Sequence, residues 1–282
     1  MQLTHERSEI FVPDGAALPQ ALARTTHMAI GAHPDDLEIL AIHGILTCLA
    51  QPQLWFSGVV MTAGGGSPRQ GDYADHTDEQ MRALRAAEQK QAAVLGQYAA
   101  QVLLGYTSAK VKDRACPGPV EDVARLLQAA RPQVVYTHDL CDRHETHVAV
   151  ALRVIEALRC LPHDERPRQF YGCEVWRSLD WLSRADRVGL DCSARQDLQA
   201  DLLRVFDSQI GGGKRYDLAV LARRRANATF FTSHQVDAGS GLTLAMDLSP
   251  LLIDDTLDPR AYVMDLIQRF TDRVGERLLK LA

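Results

Sequence analysis

A histidine and three carboxylates lie close together near the start of the chain, in the segment Ala32-His33-Pro34-Asp35-Asp36-Leu37-Glu38. A short apolar run before this segment predicts a strand, and a periodic apolar pattern after it predicts a helix. Open α/β sheets form their ligand crevices at such strand ends. His33 and Asp36 are three residues apart across a tight turn, so both can bind one metal ion from the same side. Asp35 lies between them and remains free to act as a base on a metal-bound water.

The same two aspartates also fit a simpler structural role, as the N-cap and first-turn carboxylates of a helix. A second segment, residues 136–147, favours a metal site because it adds His138, His144 and His147. This segment also follows an apolar run and precedes a helical pattern. Both clusters are therefore predicted at the carboxyl ends of strands, where they can meet above one edge of the sheet.

Ala32-His33-Pro34-Asp35-Asp36, followed much later by a His-x-x-His pair, resembles the motifs of the PIG-L/LmbE family of zinc-dependent de-N-acetylases. The helix from Arg85 to Gly96 and the glycine-rich loop after the second strand are similar to the family as well. Together these motifs cover residues 27–160. The resemblance implies a hydrolase that removes an N-acetyl group from an N-acetylated amino sugar, such as N-acetylglucosamine, or from its conjugate.

The resemblance also implies a role for each motif residue. His33, Asp36 and His147 would hold Zn²⁺, and another divalent cation such as Fe²⁺ also fits. Asp35 would be the general base. His144, three residues before His147, is predicted to be protonated and to hydrogen-bond to the oxyanion that forms during amide hydrolysis.

The second motif departs from the family at Thr146, where family members commonly carry an aspartate. That aspartate would orient a histidine and raise its pKa. Asp139 is predicted to replace it, because it ends the strand, and Asp142 and Glu145 are alternatives. Thr146 itself could serve as the N-cap of the following helix.

The apolar periodicity predicts alternating strands and helices along most of the chain. Strands are predicted at 26–32, 54–62, 102–105, 133–137, 169–176 and 242–248; helices are predicted at 36–50, 77–95, 119–130, 148–161, 197–210, 214–231 and 259–279. The order indicates an α/β fold with a Rossmann-like parallel sheet, helices on both faces and a mixed C-terminal extension. We predict one domain over residues 1–282, with a core at 27–176 that residues 177–282 complete or cap, and residues 1–26 as a surface arm.

Three side-chain predictions lie outside the ligand set. Arg85 and Glu88 are expected to pair along one helix face. Arg223, Arg224 and Arg225 are expected to form a solvated helix face. His138 fits equally well as a support for the site and as a buried structural residue.

Composition limits the partners. The 282-residue chain has a net charge of −5, which gives no electrostatic case for nucleic acid or an anionic membrane. No apolar run is long enough to cross a bilayer, and the six cysteines contain no C-x-x-C pair. Without a signal peptide, these features favour reduced thiols in a cytoplasmic protein that acts on a small molecule. A homo-oligomer is left open.

Two other functions remain open at this point. One is an amidase for a different N-acyl group. The other is a non-hydrolytic metal- or nucleotide-binding module of Rossmann type, to which the missing aspartate gives some weight.

Overall fold

The computed structural model describes residues 1–282 and contains one eight-stranded sheet between two layers of helices. The strands are β1 (Glu9–Phe11), β2 (His27–Gly31), β3 (Phe56–Thr62), β4 (Ala100–Tyr106), β5 (Val134–His138), β6 (Gln169–Cys173), β7 (Arg187–Asp191) and β8 (Leu242–Asp247). The α-helices are α1 (Leu18–Ala23), α2 (Asp36–Leu40), α3 (Ile42–Ala50), α4 (Asp78–Leu95), α5 (Ser108–Lys112), α6 (Gly118–Ala130), α7 (Glu145–Arg159), α8 (Gln196–Arg204), α9 (Asp207–Ile210), α10 (Tyr216–Thr229), α11 (Pro250–Ile253) and α12 (Pro259–Leu281).

The strand order across the sheet is β1-β4-β3-β2-β5-β6-β8-β7. The five central strands are parallel, whereas β1 at one edge and β8 and β7 at the other are antiparallel to their neighbours. The predicted α/β fold class, with its mixed C-terminal extension, is confirmed. Because β2 pairs with both β3 and β5, the sheet has its topological switch point between β2 and β5.

Alternating side chains of β2 pack into two separate cores. Met28 and Ile30 belong to the core shared with α6 and α7, whereas Ala29 belongs to the core shared with α2 and α3. All five residues of the strand are buried, as expected for a parallel strand with helices on both faces. This burial fixes β2 firmly, and the His33 turn follows directly after it.

The N-terminal residues differ from the prediction of a surface arm. β1 adds an antiparallel edge strand to β4, and the short helix α1 packs against the first core. β7 was also not predicted. Edge strands this short carry little periodicity, so only their pairing partners reveal them.

Two predicted helices are each divided in the structure. The helix at 197–210 is interrupted before α9, and the helix at 36–50 is interrupted at Ala41, whose φ is −116°. At this second break Arg224 Nη2 donates hydrogen bonds to the carbonyls of Glu38 (2.7 Å) and Ile39 (3.2 Å). The last carbonyls of a helix need partners, and a buried guanidinium provides them here. The prediction that Arg224 lies on a solvated face is therefore wrong.

The C-terminal part shares both sheet and hydrogen bonds with the core. β8 pairs with β6, and Arg224 of α10 binds α2. We therefore propose that residues 1–282 form one domain. The six cysteines form no disulfide, and no helix has both the length and the apolar composition needed to cross a membrane.

We expect Arg224→Ala to lower the free energy of unfolding by about 3 kcal/mol, because it leaves buried carbonyls without charged donors. Arg224 also donates to Gln199 Oε1 at 2.8 Å. The matched control is Arg225→Ala, since Arg225 is exposed, and its effect should stay within about 0.5 kcal/mol. Urea unfolding of both variants measures the difference. Equal effects would show that the Arg224 contacts do not hold α10 to α2.

Candidate metal centre

The turn after β2 folds the first motif back on itself. Asp36 Oδ2 accepts a hydrogen bond from the His33 backbone N–H at 2.7 Å, and the Asp36 N–H donates to the His33 carbonyl at 3.2 Å. Asp35 between them has φ of 103° and ψ of −26°. A non-glycine residue rarely adopts a positive φ, and such strained positions are concentrated at functional sites. The turn directs the Asp35 and Asp36 side chains to different partners.

Three side-chain atoms from the two motifs converge on one point. His33 Nδ1 lies 3.2 Å from both Asp36 Oδ2 and His147 Nε2, and His147 Nε2 lies 3.4 Å from Asp36 Oδ2. These three residues form a potential metal site whose ligand atoms all lie within 4.8 Å of one another. In a tetrahedral zinc site with bonds of about 2.0–2.1 Å, the ligand atoms are about 3.3–3.4 Å apart. The observed triangle therefore fits three ligands of one such ion.

A buried carboxylate lies behind His147. Asp142 Oδ1 is 3.5 Å from His147 Nδ1 and accepts the His144 backbone N–H at 2.8 Å. Burial favours the neutral carboxyl, but the His147 imidazole outweighs it and lowers the pKa of Asp142 to about 2. A carboxylate behind a ligating histidine is a common way to orient the ring and increase its basicity.

Asp139, the predicted substitute for the missing aspartate, does not perform this role. Its Oδ1 accepts the Cys141 backbone N–H at 2.7 Å, and its Oδ2 has no hydrogen-bond partner. Burial raises its pKa well above the usual range. The prediction was wrong because the loop turns after Asp139, so Asp142 faces the imidazole of His147.

The charges around the triangle favour a cation there. Burial alone would raise the pKa of Asp36, but the imidazole of His147 holds it well below the usual range. Burial alone would lower the pKa of His147, but the carboxylates of Asp36 and Asp142 raise it. Positive charge between these two carboxylates is therefore stabilised, whether a proton or a metal ion carries it.

His138 is buried beside the triangle without belonging to it. Its Nε2 accepts the Ala32 backbone N–H at 2.9 Å, so this nitrogen cannot also donate to Asp36, 3.4 Å away. Burial lowers the pKa of His138 to about 4, which keeps the ring neutral. His138 therefore holds the end of β2 in place beside β5.

Asp35 faces the cavity and is held by helix α4. Its Oδ2 lies 3.2 Å from Arg85 Nη2, and its backbone N–H donates to Gln89 Oε1 at 3.1 Å. Burial raises the pKa of Asp35 to about 8, against the opposing effect of Arg85. The predicted Arg85–Glu88 pair is absent: Arg85 also binds the carbonyls of Pro34 and Gly64, and Glu88 accepts from Ser208.

His144 lies next to both histidine ligand candidates. Its ring centroid is 5.0 Å from that of His33 and 4.7 Å from that of His147. His144 is the N-cap of α7, and its Nδ1 accepts the Thr146 backbone N–H at 3.3 Å, so Thr146 is not the cap. Burial and the neighbouring imidazoles lower the pKa of His144, which differs from the predicted protonated state. A neutral ring with Nδ1 accepting carries its proton on Nε2.

A cavity of about 730 Å³ opens in front of these residues, and His33, Asp35, Asp36 and His144 line one end of it. The glycine-rich loop at 64–66 lines it as well. Arg69 of that loop is paired with Asp78, and Arg143 is exposed and does not line the cavity.

Four residues that sequence reasoning missed also line the cavity and are here called the C-terminal wall: Trp176, Lys214, Tyr216 and Arg223. The only sequence feature near these residues that points to them is the glycine run that precedes α10. That run does not tell which residues reach the first motif across the fold. Burial, together with Asp35 and Asp36, raises the pKa of Tyr216, so its phenol stays protonated and can donate a hydrogen bond.

Residues 28–158 match the PIG-L family, described as GlcNAc-PI de-N-acetylase. A relative from Escherichia coli (strain K12), the uncharacterized deacetylase YaiS, is 31% identical over 179 residues, which are 63% of this chain and 87% of the relative. The chain belongs to the PIG-L family. Membership in this deacetylase family supports an amide hydrolase, and the matched residues contain both motifs of the candidate metal centre.

Two solved structures share the fold at low sequence identity. N,N'-diacetylchitobiose deacetylase from Pyrococcus horikoshii is 18% identical with a TM-score of 0.58, over 78% of this chain and 83% of that one. GalB, the 4-carboxy-2-hydroxymuconate hydratase from Pseudomonas putida KT2440, is 15% identical with a TM-score of 0.61, over 79% of this chain and 96% of that one. Since the second carries out a different reaction, the fold alone does not determine the chemistry.

We expect Asp142→Asn to weaken zinc binding by about 10- to 100-fold, because it removes the charge behind His147. Competition with a chromophoric chelator measures the affinity. Asp139→Asn is the matched control: it is buried in the same loop, and its Oδ2 has no hydrogen-bond partner to lose. A similar loss of zinc in both variants would contradict a specific role for Asp142.

Proposed function

We propose that this protein is a zinc-dependent N-deacetylase that removes an N-acetyl group from an N-acetylated amino sugar or its conjugate. The observation that carries the proposal is the triangle of His33, Asp36 and His147, with Asp35 at the same end of the cavity. Membership in the PIG-L family and the deacetylase relative support it.

His33, Asp36 and His147 would hold the ion, with Asp142 orienting His147. Two imidazoles and one carboxylate suit zinc in hydrolytic sites, and Fe²⁺ also accepts such ligands. A divalent ion bound there supplies Lewis-acid chemistry, because it lowers the pKa of water to about 7 and polarises a carbonyl oxygen.

Asp35 would transfer a proton from the attacking water to the departing amine. The water oxygen adds to the acetyl carbonyl carbon while Asp35 accepts a proton from the water. The C–N bond then breaks, Asp35 returns this proton to the amine nitrogen, and acetate leaves. The buried position of Asp35 suits a group that gains and loses a proton. Arg85 and Gln89 hold it at the cavity wall.

His144 would stabilise the oxyanion that develops on the carbonyl oxygen. A neutral ring that accepts at Nδ1 presents its Nε2–H as a donor, and a donor placed before the reaction stabilises the developing charge without rearrangement. The sequence predicted a protonated imidazole for this role, whereas the neutral ring of His144 can fill it through Nε2–H. A neutral ring does not need the aspartate that family members commonly carry at the position of Thr146.

The substrate class follows from the relatives. The family description names a GlcNAc-PI de-N-acetylase, and the Pyrococcus horikoshii protein is a diacetylchitobiose deacetylase. We therefore propose an N-acetylglucosamine conjugate as the substrate. A cavity of about 730 Å³ lies within the range of about 300–1,000 Å³ common for small-molecule sites.

We expect Asp35→Asn to retain about one bound metal ion per chain and to lose about 10²- to 10⁴-fold in turnover, the usual contribution of a general base. Free amine released from N-acetylglucosamine conjugates measures turnover, and elemental analysis measures the metal. His33→Ala should lose the metal itself.

Glu145→Gln is the control, because this motif carboxylate is exposed and pairs with Lys112. Unchanged turnover in Asp35→Asn would remove the base assignment, and full metal retention in His33→Ala would remove the ligand set. Stoichiometric metal without release of amine from any conjugate would favour a non-hydrolytic binding module.

A further inference from the structure

We infer that the C-terminal wall binds an anionic group, a carboxylate or a phosphate, on the part of the substrate joined to the amino sugar. This inference rests on the proposed function, because it names the substrate class of the same cavity. It is argued from the cationic side chains that line the cavity, because some of them have a carboxylate partner within the protein and others have none.

Five cationic side chains line the cavity, and three of them already have carboxylate partners. Arg7 and Arg82 share Glu79, at 3.0 and 2.8 Å. Arg85 is paired with Asp35 at 3.2 Å. Each of these arginines therefore already contacts a carboxylate within the protein, although Arg7 and Arg82 share a single one.

Lys214 and Arg223 form no ion pair, although both line the cavity. Arg223 Nη1 donates to the Val175 carbonyl, which leaves most of its five N–H donors available. Lys214 Nζ lies 5.2 Å from the centroid of the Trp176 ring, a cation–π contact that leaves its charge uncompensated.

Glu174 is a carboxylate close enough to Arg223 for their charges to interact. Its oxygens, however, already accept hydrogen bonds from other groups. They accept hydrogen bonds from the Asn227 side chain and from the backbone N–H groups of Leu244 and Leu179. Two cations facing one cavity without internal partners are suited to a carboxylate or phosphate, which a guanidinium and an ammonium bind through charge-assisted hydrogen bonds.

The wall is held at a fixed position relative to the metal centre. The Trp176 backbone N–H donates to Asp142 Oδ2 at 2.9 Å, and Asp142 Oδ1 faces His147. Arg223 is tied to the same segment through Val175. A ligand whose acetamide lies at the metal centre would therefore meet Trp176 and Arg223 in positions that these hydrogen bonds fix.

The wall also offers an apolar surface. Trp176 is 37% exposed, and the Tyr216 ring meets it edge to face at 6.0 Å. Aromatic rings of this kind bury the apolar faces of ligands. The wall therefore combines a stacking surface with two cations, which fits a sugar conjugate that carries an acidic substituent.

The test compares three substrates that differ in the group on the sugar: the neutral methyl glycoside of N-acetylglucosamine, its carboxymethyl counterpart and N-acetylglucosamine 1-phosphate. We expect kcat/KM to be at least about tenfold higher for one or both anionic compounds, the value of one charge-assisted hydrogen bond. The two anionic compounds distinguish carboxylate from phosphate.

In Arg223→Gln the ratio of anionic to neutral kcat/KM should fall about tenfold, mainly through KM, and Arg223→Lys should restore part of it. Lys214→Gln should lower the ratio in the same direction, and its Nζ makes no hydrogen bond in the structure that the substitution would remove. Arg225→Gln, two residues away on the exposed side of α10, is the matched control and should keep the ratio.

A second measurement separates this inference from the proposed function. Calorimetric binding of glucosamine 1-phosphate and methyl glucosaminide, which carry no acetyl group to hydrolyse, reports the anion site whether or not the protein is a deacetylase. Tighter binding of the phosphate that Arg223→Gln abolishes supports the inference. Equal affinities for the two amines, or equal effects of Arg223→Gln and Arg225→Gln, would overturn it.

Discussion

Two imidazole nitrogens and a carboxylate oxygen are held 3.2–3.4 Å apart at the switch point of the sheet. Lone pairs this close repel unless positive charge lies between them. The fold therefore holds them from several directions: β2 and β5 set the strand ends, His138 binds the end of β2, and Asp142 lies behind His147. The other residues of the candidate site are arranged around these three atoms.

The first motif could be predicted from the sequence because its geometry is local. His33 and Asp36 meet across one turn, and the turn needs only the buried strand before it and the helix after it. The parallel order of the strands then predicts that residues 136–147 reach the same edge. The identity of the third ligand candidate, His147, came from the family resemblance, since spacing alone does not choose among three histidines.

Long-range pairing could not be predicted in the same way. Arg85 has a suitable i, i+3 partner in Glu88, but it binds Asp35 and the Pro34 carbonyl instead. In the run Arg223 to Arg225, the first side chain lines the cavity, the second is buried against α2 and the third is exposed. Helical periodicity predicts that the three side chains point in different directions around the helix axis. Which of them faces the core depends on how the helix packs against the rest of the fold.

Asp142 connects the candidate metal centre to the C-terminal wall. One of its oxygens faces His147, and the other accepts the Trp176 backbone N–H. The family match ends at residue 158, whereas the C-terminal wall follows it in the chain. The candidate metal centre is thus built from one part of the sequence and the wall from another. Changes in the wall can alter the lining of the cavity without altering the triangle of His33, Asp36 and His147, because only the backbone at Trp176 is tied to Asp142.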